Sequence, residues 1–272
     1  MPAERSQTKA DSDMKKSIIV EKLEKVWFIR FNLPKSMNPL VKDLRIELKQ
    51  ALGDFRSDHE ARVAILTGSG KAFCAGGSLN EFADGMNAME AYDFMHDVNE
   101  IIQYITSIDK PIIACVNGVA IGAGFNVALA CDVIIASVNA KFAQTFSKVG
   151  LLVDMGGTYF LPRIIGIHKA KELLYTAKML TAEEAMSMGI VNQVVSYEEL
   201  ESHALAFAKK IAEGPAKALA MAKTIMLKSM ELSLGDVLEY EAMAQSLCMQ
   251  SDDHKEGVKA FFEKRPPVFK GK

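Results

Sequence analysis

The chain has 272 residues, with 32 Lys and Arg against 34 Asp and Glu and a formal net charge of −2 at pH 7. This balance excludes the basic field with which most nucleic-acid-binding proteins attract phosphates, so no nucleic-acid partner is expected. Hydrophobic residues make up 49% and charged residues 24% of the chain, the composition of an ordinary globular protein.

The four cysteines and five histidines are scattered without the spacing of metal ligands. Three of the cysteines (Cys74, Cys115 and Cys131) lie in apolar stretches, so we expect buried free thiols and no metal site. Free thiols are typical of a reducing compartment, and we therefore expect a cytoplasmic protein.

Two segments test for membrane or export signals. Residues 1–16 are polar and predict a disordered tail, without the apolar run of a signal peptide. Residues 112–131 form an uncharged run of membrane-spanning length. Its β-branched start, glycine-rich middle and two asparagines favour a buried strand, a tight turn and a buried helix instead, so no membrane partner is expected.

From residue 17 onward, the first half of the chain alternates strand-like and helix-like segments. Two apolar runs at 17–23 and 26–31 predict a hairpin. The Asn38-Pro39 pair predicts a helix start, with Pro39 in the first turn and the helix ending near Phe55. The next segments are a strand at 62–67, a glycine-rich loop at 68–77, a helix at 88–107, a strand at 111–116, a helix at 122–130 and a strand at 132–137. This alternation is typical of an α/β fold with a mostly parallel sheet.

From Gly156 onward the pattern becomes mainly helical. A capping box from Thr181 to Glu184 begins one helix, and residues 191–195 predict a lone strand. Further helices are predicted at 197–212, 215–230, 234–250 and 252–264. We therefore divide the chain into an α/β core at 17–200 and a helical C-terminal region at 201–272.

Three familiar motifs are incomplete. Residues 68–71 (GSGK) resemble a phosphate loop, but Ala72 stands where Ser or Thr is needed. Gly122 and Gly124 lack the third glycine of a dinucleotide fingerprint. The chain also has no G-x-S-x-G nucleophile elbow. These absences disfavour a nucleotide cofactor and a serine hydrolase.

Two loops rich in small residues lie at 73–77 (FCAGG) and 118–125 (GVAIGAGF). Small residues let a ligand approach the main chain closely, and the first N–H groups of a helix carry partial positive charge. One N–H group from each loop could therefore stabilise a developing oxyanion. The alternative is that both loops are ordinary tight turns of an α/β fold.

Asp154 is the one charged residue in the run 150–162. Apolar surroundings raise the pKa of a carboxyl and make the carboxylate a better base, which suits the transfer of a single proton. The alternative is a structural role, because Asp154 precedes two glycines and a helix-like run and could cap that helix. Both roles are open at this point.

Taken in order, these segments resemble the crotonase family of enoyl-CoA hydratases and isomerases. The resemblance rests on residues 73–77, 116–124 and 130–132, and it extends to 180–185 and 256–265. It implies a crotonase (ClpP-like) fold of repeated ββα units with a helical C-terminal trimerisation region, and a homotrimer or dimer of trimers. It also implies an acyl-CoA thioester substrate, with coenzyme A entering only as part of that substrate and no separate cofactor. Residues 146–158 look closest to the phenylacetyl-CoA ring-epoxide isomerase branch, which is similar to Δ3,Δ2-enoyl-CoA isomerases.

The resemblance implies catalytic roles for three residues: the N–H groups of Gly77 and Ala123 as the oxyanion hole, and Asp154 as the acid–base group. Ala123 stands where many members have glycine and keeps the N–H. Ser78 stands where many have aspartate, and its hydroxyl could still hydrogen-bond locally. The residues implied to contact the substrate are Met37, Pro39, Ala75, Gly76, Ser78, Leu79, Ile121, Asn126, Phe146 and Leu152, with Phe146 and Leu152 lining a dry pocket around Asp154.

The choice of reaction depends on two positions. Hydratases of the family place glutamates where this chain has Asn126 and Phe146. Hydration needs one group to activate water and another to deliver a proton, and neither of these side chains can do so. We therefore expect an acyl-CoA isomerase with Asp154 as its single base. An enoyl-CoA hydratase and a non-catalytic acyl-CoA-binding protein are the alternatives. The acyl group is left open between straight-chain and aromatic-derived, and the branch resemblance favours the latter.

Overall fold

The computed structural model describes residues 16–272. The predicted tail at 1–16 lies outside the described residues, apart from Lys16. Across the described part of the chain, no helix combines the length and the apolar character needed to cross a membrane. The uncharged run at 112–131 instead folds into two strands and a buried helix.

The first structural unit begins with a hairpin. Strands β1 (Ile18–Leu23) and β2 (Val26–Phe31) pair antiparallel, as predicted. Five of the six side chains of β2 are buried, which fits a strand covered on both faces. The hairpin therefore contributes its second strand to the hydrophobic core.

Helix α1 (Lys42–Ser57) follows the hairpin and packs its leucines and Phe55 into the core. The predicted helix start at Pro39 is wrong, because Val41 is the N-cap residue and Pro39 lies before it. The physical reason is a tight local turn: the N–H of Val41 donates to the carbonyl of Pro39 at 2.8 Å, a bond between residues two apart that the helix geometry does not contain.

Three further repeats of two strands follow, and two of them continue into a helix. The second unit is β3 (Val63–Gly68), β4 (Ala72–Cys74) and α2 (Ala88–Ser107). The third is β5 (Ile112–Val116), β6 (Val119–Ile121) and α3 (Ala123–Ala130). The fourth pair is β7 (Val133–Ser137) and β8 (Lys141–Ala143). The α/β fold of repeated ββα units is confirmed.

The first strands of these units form one sheet and the second strands form another. The larger sheet has the order β1-β2-β3-β5-β7-β10, where β10 is Gln193–Val195, and every pair except β1–β2 is parallel. The smaller sheet has the order β4-β6-β8-β9, where β9 is Leu180–Thr181. Because β4 and β6 are parallel neighbours, the segments that leave their carboxyl ends emerge side by side.

Short strands account for most of the differences from the predicted elements. Strand β4 lies inside the predicted glycine-rich loop at 68–77, and β6 and β8 were not expected. Strands of three residues are too short to show an alternating pattern. The predicted lone strand at 191–195 is shorter and is not alone, because β10 pairs in parallel with β7.

The remaining elements are helices, in agreement with the predicted pattern. The capping box of Thr181 and Glu184 is confirmed: each side chain accepts a hydrogen bond from the other residue's main-chain N–H. The helices are α4 (Gly157–Ile165), α5 (Ile167–Thr176), α6 (Ala182–Ser187), α7 (Leu200–Ala212), α8 (Ala216–Ser229), α9 (Leu234–Gln250) and α10 (Asp252–Glu263).

The C-terminal helices differ in how they are packed. Helix α7 buries Leu200, Ala204 and Ala208 against strands of the larger sheet, so it belongs with the core by its packing. Helices α8 and α9 contain no buried residue. Their exposed apolar side chains include Met226, Met230, Leu238, Met243 and Leu247. The division of the chain at residue 200 stays a prediction.

Candidate active site

The first predicted donor loop follows strand β4. Gly76 has a φ of +88°, a conformation that L side chains rarely adopt. A Cβ atom there would lie 3.0 Å from the carbonyl oxygen of Ile121 and 3.3 Å from the nitrogen of Ala123. The two predicted loops are therefore in direct contact, and only glycine allows them to approach this closely.

The peptide bond between Gly76 and Gly77 is held in one orientation. Its carbonyl oxygen accepts a hydrogen bond of 2.8 Å from the N–H of Leu40. Because the peptide is trans, the N–H of Gly77 points away from Leu40. Among the described residues, no acceptor takes the N–H of Gly77. This donor is therefore oriented and free.

The second donor lies at the start of helix α3. Gly122 is the N-cap residue and offers no side chain to cap the helix, so the N–H of Ala123 finds no acceptor in the described part of the chain. A Cβ atom at Gly124 would lie 2.2 Å from the carbonyl oxygen of Cys74, which shows how tightly α3 is pressed on β4. The partial positive charge of the helix start adds to this N–H group.

The two loops together could hold an oxyanion. Gly77 and Ala123 follow parallel neighbouring strands, their loops touch, and both N–H groups are unpaired within the described residues. Two converging N–H donors are the arrangement that stabilises negative charge on a carbonyl oxygen. The oxyanion hole stays a prediction beside the alternative of ordinary turns, because the first N–H groups of any helix lack partners within that helix.

Asn126 lies one helical turn after Ala123 and is fully buried, at 0% exposure. Its Nδ2 donates to the main-chain carbonyl of Asp154 at 2.8 Å, and its Oδ1 accepts from Nε2 of Gln144 at 2.7 Å. Asn126 was expected to contact the substrate, and this expectation is corrected: its burial and its two hydrogen bonds place it behind the site. Helix α3 thus carries one donor and also fixes the backbone of Asp154.

Gln144 was missed by the sequence analysis. It is 1% exposed, and its Oε1 has no hydrogen-bond partner among the described residues. The signal that could have found it is an amide side chain between the aromatic residues Phe142 and Phe146, directly after strand β8. Its amide supports Asn126 and, through Asn126, the position of Asp154.

Asp154 does not cap the helix that follows it. The N-cap residue of α4 is Gly156, and no side chain caps this helix. The N–H of Gly157 donates to the main-chain carbonyl of Asp154 at 2.9 Å, and not to its carboxylate. Met155 and Gly156 have φ values of +44° and +76°, and this left-handed turn separates Asp154 from the helix. The capping alternative is therefore wrong.

The carboxylate of Asp154 is partly buried and available for chemistry. Its Oδ1 is buried without a hydrogen-bond partner among the described residues. Burial raises the pKa of this carboxyl from its ordinary 3.8 to about 6, and a hydrogen bond from its own main-chain N–H opposes the shift. A base with a pKa near the working pH is well matched to proton transfer.

A cavity of about 440 Å³ opens onto Asp154. Among the described residues that line it, Asp154 is the one ionisable side chain. The others are apolar and come from helix α2, the segment before it and the run before Asp154: Met86, Ala91, Phe94, Met95, Leu151, Leu152 and Val153. Apart from Asp154, the described walls of this cavity are therefore apolar.

Phe146 and Leu152 were expected to line a dry pocket together, and they differ in the structure. Phe146 is buried at 7% exposure, and its ring lies 3.7 Å from where a Cβ atom of Gly122 would be, beside the second donor loop. Leu152 lines the cavity but is 82% exposed, so it lies at the mouth and does not close the pocket in the single chain. The part of the expectation that gives Leu152 a dry environment is corrected.

The other predicted contact residues surround the two donor loops. Met37 and Leu79 are exposed, and Pro39, Ala75, Ser78 and Ile121 are half-buried. The carbonyl of Met37 accepts from the N–H of Ala75 at 3.0 Å, which ties these residues together. The Ser78 side chain makes no capping hydrogen bond, so the local bond expected of its hydroxyl is not found among the described residues. Substrate contacts for this group stay a prediction.

The possible metal ligands and the cysteines of the described part of the chain do not gather into one cluster. No group of three or more His, Cys, Asp or Glu side chains gathers within the described range 16–272. The cysteines are free, with Cys74 and Cys115 buried and Cys131 and Cys248 half-buried. Burial raises the pKa of the Cys74 thiol to about 12, which makes it unreactive.

Comparison with known proteins places this geometry in a family. The family model described as enoyl-CoA hydratase/isomerase matches residues 21–272. A crotonyl-CoA hydratase of Syntrophomonas wolfei is 39% identical over 254 residues, covering 93% of this chain and 97% of that protein. A 1,2-epoxyphenylacetyl-CoA isomerase of Escherichia coli is 36% identical over 264 residues, covering 93% and 98%.

Solved structures agree with the sequence relatives. An enoyl-CoA hydratase from Bacillus anthracis superimposes with a TM-score of 0.90 at 35% identity, and the match covers 94% of this chain and 100% of that chain. The chain therefore belongs to the enoyl-CoA hydratase/isomerase (crotonase) family and is an enzyme of that family.

Proposed function

We propose that this member of the enoyl-CoA hydratase/isomerase family is an acyl-CoA isomerase that moves a double bond with Asp154 as its single base. The observation that carries the proposal is the solitude of that carboxylate: among the described residues lining its cavity, no second ionisable group is present. Asn126 and Phe146, at the two positions where hydratases keep acids, are buried and cannot exchange protons.

The proposed reaction uses the two donors and the base in sequence. The thioester carbonyl oxygen binds between the N–H groups of Gly77 and Ala123. Asp154 removes a proton from the carbon chain, the electrons move onto the carbonyl oxygen, and the enolate is stabilised by the two N–H groups. The same carboxyl then returns the proton two carbons away, so the base is regenerated and no water is consumed. Loss of one such donor typically costs about 3 kcal/mol in the barrier.

The second candidate function is hydration of a 2-enoyl-CoA. The observation in its favour is the name of several relatives, including the crotonyl-CoA hydratase that is 39% identical to this chain. In that case Asp154 would activate water, and a proton donor would have to come from the substrate, from water or from another subunit. Hydration is disfavoured because the described residues of the cavity wall other than Asp154 are apolar.

An assay with two substrates separates the candidates. The protein is given a 3-enoyl-CoA and, separately, a 2-enoyl-CoA, while absorbance of the conjugated thioester is followed. An isomerase produces that absorbance from the first substrate, and a hydratase removes it from the second by adding water. Predominant loss of absorbance from the 2-enoyl-CoA, with formation of the 3-hydroxy product, would overturn the isomerase assignment.

Two variants assign the activity to the carboxylate. Asp154→Asn keeps the size of the side chain and removes its basicity, so turnover should fall by about a thousandfold or more. Asp93→Asn, an exposed carboxylate on helix α2, is the matched control and should keep full activity. A non-catalytic acyl-CoA-binding protein predicts instead that wild type and Asp154→Asn bind the thioester equally and that neither turns it over.

The acyl group of the substrate is proposed to be apolar, and to be aromatic-derived in preference to straight-chain. The cavity beside Asp154 has one aromatic and two methionine side chains, Phe94, Met86 and Met95, which adapt to a bulky apolar group. One relative is named for an epoxyphenylacetyl-CoA substrate. Comparison of kcat/KM for phenyl-substituted and straight-chain 3-enoyl-CoA thioesters tests this preference.

The chain is further proposed to assemble as a homotrimer or a dimer of trimers. Helices α8 and α9 bury none of their residues in the single chain, and Phe261 and Phe262 on α10 are exposed. A cavity of about 1040 Å³ beside these helices has both polar and apolar walls, and its apolar side chains, among them Met221, Leu247 and Phe262, are ones that a second copy could cover. Light scattering coupled to size exclusion measures the mass directly, and a monomer at micromolar concentration contradicts the proposal.

A further inference from the structure

A buried arginine connects the candidate site to its surroundings. Arg45 lies on helix α1 beside the buried leucines and is only 3% exposed. A buried charge is costly unless it is paired and hydrogen-bonded. Arg45 makes three hydrogen bonds and one ring contact. These contacts reach three different segments, and each of these segments carries part of the candidate site.

The first segment contains Leu40. Nη1 of Arg45 donates to the carbonyl of Leu40 at 2.7 Å. The N–H of the same residue donates to the carbonyl of Gly76 at 2.8 Å. Because the peptide between Gly76 and Gly77 is planar and trans, fixing its carbonyl also fixes the direction of the Gly77 N–H. Two hydrogen bonds in series, from Arg45 to Leu40 and from Leu40 to Gly76, therefore connect Arg45 to the peptide group that carries the first proposed oxyanion donor.

The second segment is the short 3-10 turn Leu79–Phe82, which begins two residues after Gly77. No side chain caps this turn. Its anchor is the carboxylate of Glu81, which accepts from Nη1 of Arg45 at 2.9 Å and from the N–H of Lys42 at 3.1 Å. The loop that carries the donor is thus held at both ends, on one side through Leu40 and on the other through Glu81.

The third segment is helix α2, which forms a wall of the cavity. Nε of Arg45 donates to Asp97 at 2.9 Å, and its guanidinium stacks on the ring of Phe94 at 4.7 Å from the centroid. Phe94 lines the cavity next to Asp154. One guanidinium therefore joins the oxyanion donor and the cavity wall, and the fork geometry of arginine is needed to reach these partners at once.

We infer that Arg45 is a positioning residue, which sets the direction of the Gly77 N–H group through Leu40 and Glu81 and thereby the strength of the oxyanion hole. This inference rests on the proposed function, since it takes the Gly77 N–H to bind the thioester carbonyl. A residue that only stabilises the fold would change the population of folded protein. A positioning residue also changes the polarisation of the bound carbonyl in the protein that is folded.

The test compares Arg45→Met with Lys49→Met. Lys49 bonds to Asp97 at 2.6 Å and to Glu100 at 2.7 Å, so its loss disturbs the same charge cluster without touching Leu40 or Glu81. Steady-state kinetics are measured on both variants with a 3-enoyl-CoA. Infrared difference spectra are then recorded in an Asp154→Asn background, with 2-butenoyl-CoA labelled with carbon-13 at the thioester carbonyl, so that the bound ligand is not turned over.

Arg45→Met should lower kcat by about tenfold to a hundredfold while KM changes by less than about threefold, because the donor acts on the enolate more than on the substrate. The labelled carbonyl band should shift less on binding than it does in the parent. Lys49→Met should match the parent in both measurements. If Arg45→Met does not fold, Glu81→Gln is the second variant, and it should give the same changes at smaller size because Glu81 is partly exposed.

The outcomes separate this inference from the proposed function. A parent protein that binds the thioester without any shift of the carbonyl band removes the oxyanion hole, and both proposals fall. A parent with a clear shift, equalled by Arg45→Met and by Glu81→Gln, overturns the role of Arg45 and leaves the oxyanion hole intact. A loss of kcat without any change in the band also overturns the inference, since it locates the defect elsewhere.

Discussion

The side-chain amide of Asn126 donates a hydrogen bond of 2.8 Å to the main-chain carbonyl of Asp154. This contact joins helix α3, which begins with the proposed second oxyanion donor, to the turn that carries the proposed base. The carboxylate itself takes no part in it, so Asp154 keeps a fixed backbone and a free side chain. The same carbonyl also accepts the N–H of Gly157 at 2.9 Å, which makes it the centre of the local structure.

Replacing Asn126 with alanine should therefore reduce both stability and turnover. The change leaves the Asp154 carbonyl with one partner fewer and the buried amide of Gln144 without its acceptor, at a cost of about 1–3 kcal/mol. Urea unfolding measures the stability, and kcat measures the effect on the base. Asn139→Ser, a change of an exposed asparagine, is the control for both measurements. Unchanged kcat in folded Asn126→Ala would show that the contact is structural only.

The raised pKa of Asp154 predicts the pH dependence of the reaction. A base must be ionised to take a proton, so kcat/KM should be constant above about pH 7 and fall about tenfold per unit below about pH 6. The phosphates of coenzyme A titrate in the same range. An acyl-pantetheine thioester without phosphates is therefore the better substrate for this profile. An acid limb near pH 4 would contradict the raised pKa.

The same pKa shift means that the ionised Asp154 lowers the free energy of unfolding at neutral pH. Because its folded pKa, about 6, exceeds its unfolded value near 3.8, the folded state binds the proton more tightly, and stability is lost as the pH rises through that range. Asp154→Asn should thus be about 1–3 kcal/mol more stable than the wild type at pH 7, and equal to it below about pH 4. Unfolding curves at both pH values check this, with Asp93→Asn as the exposed control.

Gly76 should tolerate no side chain. Alanine there would combine a left-handed φ of +88° with contacts of 3.0 Å and 3.3 Å to the second donor loop. Gly189 is the matched control, because its φ is +81° and nothing lies within 4 Å of its Cβ position. Both changes should cost about 1–2 kcal/mol for the backbone strain. Only Gly76→Ala should also abolish most of the turnover, and equal activities in the two variants would refute the loop contact.

The local patterns of the chain predicted most of its elements. The hairpin at 17–23 and 26–31, the helix at 88–107 and the capping box at Thr181 are confirmed, because each depends on neighbouring residues and a repeating spacing. The helix start at Pro39 failed because the carbonyl of Pro39 accepts from the N–H of Val41 in a tight turn, which the Asn38-Pro39 pattern does not reveal. Strands β4, β6 and β8 failed because a pattern needs more than three residues.

The sequence by itself determined the family, the two loops of small residues and the solitary aspartate, because these are matters of residue type and order. It left open whether Asp154 caps a helix or is free to act, and it did not find Gln144 or Arg45. Only the tertiary structure showed that Asp154 does not cap the helix and which groups Gln144 and Arg45 contact. The left-handed turn at Met155 and Gly156, the amide of Asn126 and the guanidinium of Arg45 act through contacts between segments far apart in the chain, and such contacts exist only once the chain is folded.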